Sequence, residues 1–356
     1  MKFDFFSEKI PPLVGVDISS SAVKMVELSS PAKGVYQLDA YSIASIPKEA
    51  IVDGNIANLD QVVDSIKTAW KLLGSRQKRA ALALPSSAVI TKKVLMPAGL
   101  REEDMETQVE AEANQYIPFP LEEVNIDFQE LGPSAKNPDE VEVLIAASRK
   151  EKIEDRVAAA EGAGLKVSVM DVETYATEAV YTLISNQLPN AGKDQTVMIV
   201  DVGASFINIS VLHDNYSVYT REQAFGGALL TQEIQRRFGL SLEEAEIAKR
   251  KGGLPETYQS EVLNPFLANL ATEVARALQF FTSSTQYNRV DHIVLAGGCS
   301  AIPGVEILVQ DKTQVNTIVG NPFKQMQISN KIKQSQAFTD APALLIACGL
   351  ALRGVA

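Results

Sequence analysis

Cysteine, histidine and tryptophan are nearly absent: the 356 residues include Cys299 and Cys348, His213 and His292, and a single tryptophan. Two cysteines in apolar or glycine-rich surroundings, with no partner at metal-ligand spacing, exclude a disulfide framework and predict two reduced, buried thiols. That usage suits a reducing compartment. Two isolated histidines exclude a histidine-based zinc site. Positive charge is also short. With 33 Lys and Arg against 44 Asp and Glu, the formal charge is −11. This argues against nucleic-acid binding and against a polybasic membrane-surface patch, both of which need concentrated basic residues. No apolar run reaches the ~18–20 residues of a membrane span. The longest, Ala341 to Leu352, is too short, so no transmembrane segment is expected. The opening MKFDFFSEKIPP carries Asp4 and Glu8 and no long apolar stretch. No signal peptide is expected, and the cytoplasm is the expected location.

What is present belongs to a folded protein. Hydrophobic residues make up 46% and charged residues 22%, enough apolar material for a large core. At roughly 100–200 residues per domain, the length predicts about two domains. After Pro12, Leu13 to Leu28 reads as strand, polar turn and strand, and more strand follows at Tyr36 to Ile46. Leu59 to Leu73 is an amphipathic helix ending at Gly74, and Ala80 to Pro85 a short buried strand. A strand (Ile90 to Met96), an acidic helix (Arg101 to Ile117), two strands (Val124 to Leu131, Val141 to Ser148) and a helix (Glu151 to Ala163) form an α+β block. The block reads as an insertion, because Leu165 to Val172 resumes the buried-strand texture before a helix from Thr174 to Asn186. Beyond a Pro/Asn/Gly/Asp break at 189–194, Thr196 to Leu212 is again strand, small-residue turn and strand. A mostly helical stretch covers Leu229 to Phe281, followed by a buried strand at His292 to Gly298 and an apolar helix around Leu344 to Leu352.

The two hairpins repeat each other. Asp17 and Asp201 stand 184 residues apart (201 − 17), and that offset lays VDISSSAVKMVEL on VDVGASFINISVL with turns of equal length. Two copies of one unit imply two related lobes facing each other. Each turn puts an acid at the end of a buried strand, then small residues whose backbone N–H groups are open to an anion. Two ordinary hairpins with polar tips remain the plainer alternative. The matched pair favours a polyphosphate clamp, with Asp17 and Asp201 holding a hydrated Mg²⁺, an ion that keeps several waters and needs few carboxylates. The hydroxyls of Ser19, Ser20, Ser21 and Ser205 add donors, and Lys24 adds positive charge. In LAGGCSAIPGV (Leu295 to Val305), Gly297 and Gly298 follow a buried strand, where a flat ring can pass close to the backbone.

In this order VDISSSAVK, VDVGASFIN and LAGGCSAIPG resemble the phosphate-1, phosphate-2 and adenosine motifs of the actin-like ATPase superfamily. AEIAK (Ala245 to Lys249) resembles the helix whose Glu and Lys contact the adenosine ribose there, pointing to Glu246 and Lys249. The inserted block resembles the relocated subdomain of FtsA-like proteins. LVGVDISSSAVKMVEL, YIPFPLEEVNIDFQEL and GLALRG resemble the PilM family of type IV pilus assembly proteins, over nearly the whole chain. The resemblance implies an α/β actin-like fold: two RNase-H-like lobes with an FtsA-type βαββα insertion in the first. The lobes would be 12–85 with 165–192 and 193–225 with 290–356, the insertion 86–164, and a helical nucleotide-side subdomain 226–289. It further implies ATP and Mg²⁺ as cofactors, with nucleotide contacts extending to Gly203, Ala204, Asn208, Gly226, Gly227 and Ser300. Ser19 stands where the superfamily usually has glycine; if that position needs a positive φ, serine is strained there by about 1 kcal/mol.

Hydrolysis needs a group to orient the attacking water. In DVETYATEAV (Asp171 to Val180) both Glu173 and Glu178 are candidates, and spacing to Ala176 favours Glu173. A solvated acid at a helix N-terminus is the alternative. As partners the resemblance implies the N-terminal cytoplasmic tail of PilN, other inner-membrane and motor proteins of the pilus and twitching-motility machinery, and self-association. The location would be peripheral to the inner membrane through the partner, with a groove beside the inserted block accepting an extended peptide. The three aromatics of MKFDFF are a further candidate membrane or partner contact, or else a disordered lead. The competing functions are a small-molecule kinase of the same superfamily and an FtsA-like filament protein. The first lacks a second substrate motif after the first hairpin; the second lacks a basic amphipathic C-terminal helix.

Overall fold

The computed structural model describes residues 12–32, 34–134 and 137–355, and the MKFDFF expectation lies outside them. In chain order the elements begin with β1 (Val14–Ile18), β2 (Ala22–Ala32), β3 (Val35–Ser45), β4 (Ile51–Val52), β5 (Asn55–Ile56), α1 (Leu59–Leu73) and β6 (Arg79–Leu84). The inserted block follows as β7 (Val89–Pro97), α2 (Glu102–Ala113), β8 (Val124–Pro133), β9 (Glu140–Arg149) and α3 (Lys150–Gly162). Next come β10 (Lys166–Val172), α4 (Glu173–Ile184), β11 (Thr196–Val202), β12 (Phe206–His213), β13 (Tyr216–Ala224), α5 (Gly227–Phe238), α6 (Leu242–Lys251) and α7 (Asn264–Ser284). The chain closes with β14 (His292–Ala296), α8 (Val305–Thr313), β15 (Asn316–Val319), β16 (Gln327–Ile328), α9 (Gln334–Asp340) and α10 (Leu345–Ala351).

Two mixed sheets form the frame, ordered β10-β6-β1-β2-β3-β16 and β13-β12-β11-β14-β15, and β7-β9-β8 forms a separate sheet in the block. β1 and β11 lie inside their sheets, each antiparallel to the strand of its own hairpin and parallel to a strand on the other side. Strands covered on both faces read as unbroken apolar runs, and β1 is buried at every residue. α1 follows from local rules. Asn58 caps its start by accepting from the Gln61 N–H at 3.1 Å, and Gly74 ends it in a left-handed turn. Val62, Ile66, Ala69 and Leu73 recur at helical spacing and are buried against the first sheet, each large side chain stabilising by roughly 1.5–3 kcal/mol.

Three features depart from the sequence expectations. α2 stops at Ala113 rather than Ile117; the last residues before Pro118 form tight turns, with the Tyr116 N–H bonded to Ala113 O at 3.2 Å. β10 is an edge strand and only partly covered. The third concerns membrane spans. Helical turns join α9 and α10 into one run, Gln334–Gly354, of 21 residues with mean hydropathy 1.3, long and apolar enough to span a bilayer by length and composition. Pro342 hides this continuity in the sequence. However, 61% of its apolar window is buried inside the protein, and α10 packs in a core shared by β2, β11, β14 and α4. It is a core helix serving both sheets. β16 similarly adds to the first sheet, parallel to β3.

Candidate functional site

The two hairpins close alike. In the first, Asp17 pairs across the ladder with Lys24, and the Ser19 N–H bonds Ala22 O at 3.0 Å. In the second, Asp201 pairs with Asn208, and the Gly203 N–H bonds Phe206 O at 2.9 Å. Every one of these atoms has its counterpart at the same offset, so the repeat extends to the turn's own hydrogen bond. Neither Ser19 nor Gly203 has a positive φ, which overturns the expected strain at Ser19. Its hydroxyl instead reinforces the turn by donating to Ala22 O at 2.9 Å. The tips meet across the cleft, with the hydroxyls of Ser20 and Ser205 3.1 Å apart. The Ser21 carbonyl accepts the N–H of Ile46, the residue after β3, at 3.0 Å.

Support for the second turn comes from α5. The N–H groups of Gly227 and Ala228 bond the carbonyls of Gly203 and Ala204 at 3.0 and 2.8 Å. A Cβ on Gly226 would overlap the Ala204 carbonyl, so glycine there allows the backbones to approach. Gly226 and Gly227 therefore brace the turn, and the N–H groups of Gly227 and Ala228 are used within the protein. Gly297 braces it from the other side. Its φ is +84°, and a Cβ there would overlap Asp201 Oδ1 and the Val202 carbonyl. Gly298 is exposed beside it. Ser300 is buried, its hydroxyl donating to Ala296 O at 2.5 Å.

Charge concentrates between the tips. Asp17 is 3% exposed and accepts from Lys24 Nζ at 2.8 Å. Burial opposes the Lys24 charge, but Asp17, Asp201 and Glu173 outweigh it and hold the ammonium above its usual range. Burial raises Asp201 to about 6, with Asp17 adding repulsion and Lys24 opposing. Glu173, the first residue of α4, is raised furthest, to about 8, by burial and then by Asp17 and Asp201, against Arg156 and Lys24. It is no freely solvated helix-end acid. It lines a small cleft with Ser86, Thr174, Thr177, Asp201 and Asn208. Glu178 lies elsewhere, its Oε2 accepting the Ser217 N–H of β13 at 2.9 Å.

Beside the start of α5, Lys249 Nζ donates to Thr231 Oγ1 at 2.6 Å, to Glu246 Oε1 at 2.7 Å and to Gly227 O at 3.3 Å. The Thr231 hydroxyl also bonds Glu246. Burial works against the Glu246 charge, yet these bonds hold its carboxyl below the usual range. The pair expected at the ribose is thus tied to the helix that braces the second turn. Ser86, Thr174, Thr231 and Arg156 are parts of this region that sequence reasoning missed. The first three are small polar residues without a distinguishing pattern, and Arg156 lies among the alternating charges of a helix. Among the described residues no group of three His, Cys, Asp or Glu is placed to hold a metal by itself. The donor set of Asp17 and Asp201 suits an ion held largely by water and phosphate oxygens.

Residues 15–355 match the family model described as type IV pilus assembly protein PilM. The cell division protein FtsA of Bacillus subtilis (strain 168) is 24% identical over 357 residues, 87% of this chain and 78% of that protein. Among solved structures, a PilM-PilN type IV pilus biogenesis complex matches 98% of this chain and 99% of its own with a TM-score of 0.80 at 29% identity. MreB5 of Spiroplasma citri bound to ADP matches 97% and 96% with a TM-score of 0.51 at 12% identity, a likeness of fold alone. The fold is that of the actin-like ATPases.

Proposed function

This chain belongs to the type IV pilus assembly protein PilM family, and from that premise we propose that it is an ATP-binding component of the pilus assembly platform. It docks on the N-terminal cytoplasmic tail of a PilN-type partner, and so works at the inner membrane without spanning it. The supporting likeness is to a PilM-PilN complex matched along 98% of the chain. The inserted block is the proposed contributor to docking. Other pilus proteins and further copies of the chain are proposed as additional partners.

The observation that carries the nucleotide reading is the pair of equivalent turns meeting at Ser20 and Ser205 over Asp17, Asp201 and Glu173. Asp17, Asp201 and Glu173 crowd together in a buried cleft where burial and mutual repulsion outlast what Lys24 and Arg156 offset, since Asp201 and Glu173 are still held above their ordinary values. A divalent cation with its phosphates completes such a site. Bound Mg²⁺ supplies the positive charge that polyphosphate transfer requires. Asp17 and Asp201 hold it through water. Ser20, Ser21, Ala204 and Ser205 present N–H and hydroxyl donors to the phosphates once the tips part, Ser19 and Gly203 close the turns beneath them, and Asn208 and Lys24 flank them. Glu246 and Lys249 flank the ribose, while Gly297 and Gly298 leave room for the base. Glu173 orients the attacking water. Calorimetric titration of Mg-ATP into the wild-type protein, Asp17→Ala and Asp201→Ala tests the site; retained affinity in both variants refutes it. A PilN N-terminal peptide that fails to bind at micromolar concentration refutes the docking.

A further inference from the structure

One buried charge stands outside that scheme. Arg156, on α3 at the end of the inserted block, is 2% exposed. A guanidinium leaves water only where its donors and its charge are answered. Nε donates to Ala83 O at 3.1 Å and an Nη to Gly54 O at 2.9 Å, so both bonds go to backbone carbonyls. Those carbonyls belong to separate segments, the end of β6 and the β4–β5 turn, and a planar fork with several donors can hold both where a single ammonium cannot. α3 is itself fixed, with Ala159, Ala160 and Ala163 buried in the first-lobe core.

The end of β6 lies beside the cleft. Leu84, the residue after Ala83, pairs with Val172, the residue before Glu173. Ser86, two positions further on, shares a 2.6 Å hydrogen bond with Thr174, the residue after Glu173. Glu173 is therefore flanked on both sides by bonds to the segment that Arg156 clamps. The charges that act on Glu173 come from four elements: Asp17 on β1, Lys24 on β2, Asp201 on β11 and Arg156 on α3. Arg156 in turn feels Glu173, Asp155 and Asp17.

We infer that Arg156 is a positioning residue: from the inserted block it clamps the end of β6 and the β4–β5 turn, and so sets the place and charge of Glu173 in the cleft. The inference rests on the proposed water-orienting role of Glu173. It gives the inserted block a direct mechanical and electrostatic connection to the nucleotide cleft.

The test compares full-length wild type, Arg156→Gln, Arg156→Lys, Glu173→Gln and the double variant Arg156→Gln/Glu173→Gln. Single-turnover ATP hydrolysis should fall about tenfold in Arg156→Gln with Mg-ATP affinity kept within about threefold, and Arg156→Lys should recover part of the loss. The double variant should match Glu173→Gln alone. Multiplicative losses, or loss of ATP affinity in Arg156→Gln, overturn the inference. A second readout needs no turnover: carbon NMR of the Glu173 carboxyl in nucleotide-free protein. Its titration midpoint should move up in Arg156→Gln, and an unmoved midpoint overturns the inference. A wild type that binds ATP without hydrolysing it refutes the water-orienting role, and the carboxyl titration still decides whether Arg156 governs Glu173. Should Arg156→Gln fail to fold, Ser86→Ala cuts the same chain of contacts without removing a buried charge. It should slow hydrolysis about threefold at unchanged ATP affinity; an unchanged rate overturns the inference.

Discussion

Glu173→Gln should make the nucleotide-free protein more stable, by an amount that grows as pH rises from about 4.5 to about 8. The carboxyl is raised from 4.5 to about 8 in the folded protein. Between those values the unfolded chain has lost the proton and the folded protein still holds it, so stability falls as pH rises. It is fully present below about pH 4.5 and lost by the time pH passes about 8. At 1.36 kcal/mol per pH unit the whole interval amounts to about 5 kcal/mol, a ceiling that full burial alone would reach. Glu173 is partly exposed at the cleft, and water relaxing around the charge reduces the cost to roughly 1–3 kcal/mol. Glutamine keeps the shape and removes the charge. Thermal unfolding in the presence of a chelator should therefore show the variant melting roughly 2–6 °C above wild type at pH 9. At about pH 3.5 to 4, below the unfolded value, the two should melt nearly together. Equal melting at pH 9 refutes the idea that Asp17, Asp201 and burial hold this carboxyl above its ordinary value.

Three further substitutions probe the same frame. Glu178→Ala should leave ATP hydrolysis unchanged and cost about 1 kcal/mol in denaturant unfolding, because it removes one bond to the Ser217 N–H. Gly297→Ala should cost about 2–4 kcal/mol by the same measurement, since it combines a positive φ with an overlap on Asp201 and Val202. Asn208→Lys places a cation opposite Asp201, as Lys24 stands opposite Asp17; it should flatten the stability loss of the nucleotide-free protein between pH 5 and 8 and weaken Mg-ATP binding measured by calorimetry.

How far the sequence carries depends on how local the cause is. The span of α1 from Leu59 to Leu73 was legible because its apolar face recurs at helical spacing between a capping Asn58 and a terminating Gly74. The hairpins were legible because strand alternation and turn length are local, and the repeat doubled the signal. Their contact through Ser20 and Ser205 follows from pairing the lobes, which the repeat implied. By contrast, the addition of β16 to β3 joins residues nearly 300 positions apart, with two residues of strand to announce it. Ser300 offered a hydroxyl in a promising loop, but a buried hydroxyl must bond what lies beside it, and that is Ala296 O. Arg156 stood in KEKIEDRVAAAEG, a predicted helix whose neighbouring charges gave no sign that this one is buried. Only the packing of Ala159, Ala160 and Ala163 against the first-lobe core turns that face inward.

The asymmetry between the hairpins explains why such similar turns make one site. At the ladder position opposite the strand-end acid, the first hairpin has Lys24 and the second Asn208. Asp17 thereby gains an ion pair at 2.8 Å, whereas the Asp201 carboxyl is held up at about 6. A second lysine would answer Asp201 as Lys24 answers Asp17 and would weaken the pull on a mobile cation. With no lysine, three carboxyls would repel one another too strongly to remain buried together. One lysine leaves the first turn neutral and rigid and the second short of positive charge. The deficit lies beside Glu173 and under a turn braced by α5 and Gly297, so the backbone is least able to relax where the charge is least satisfied. A cation arriving with phosphates would relieve that repulsion, and its binding energy would go into holding the two lobes together rather than into reshaping either turn.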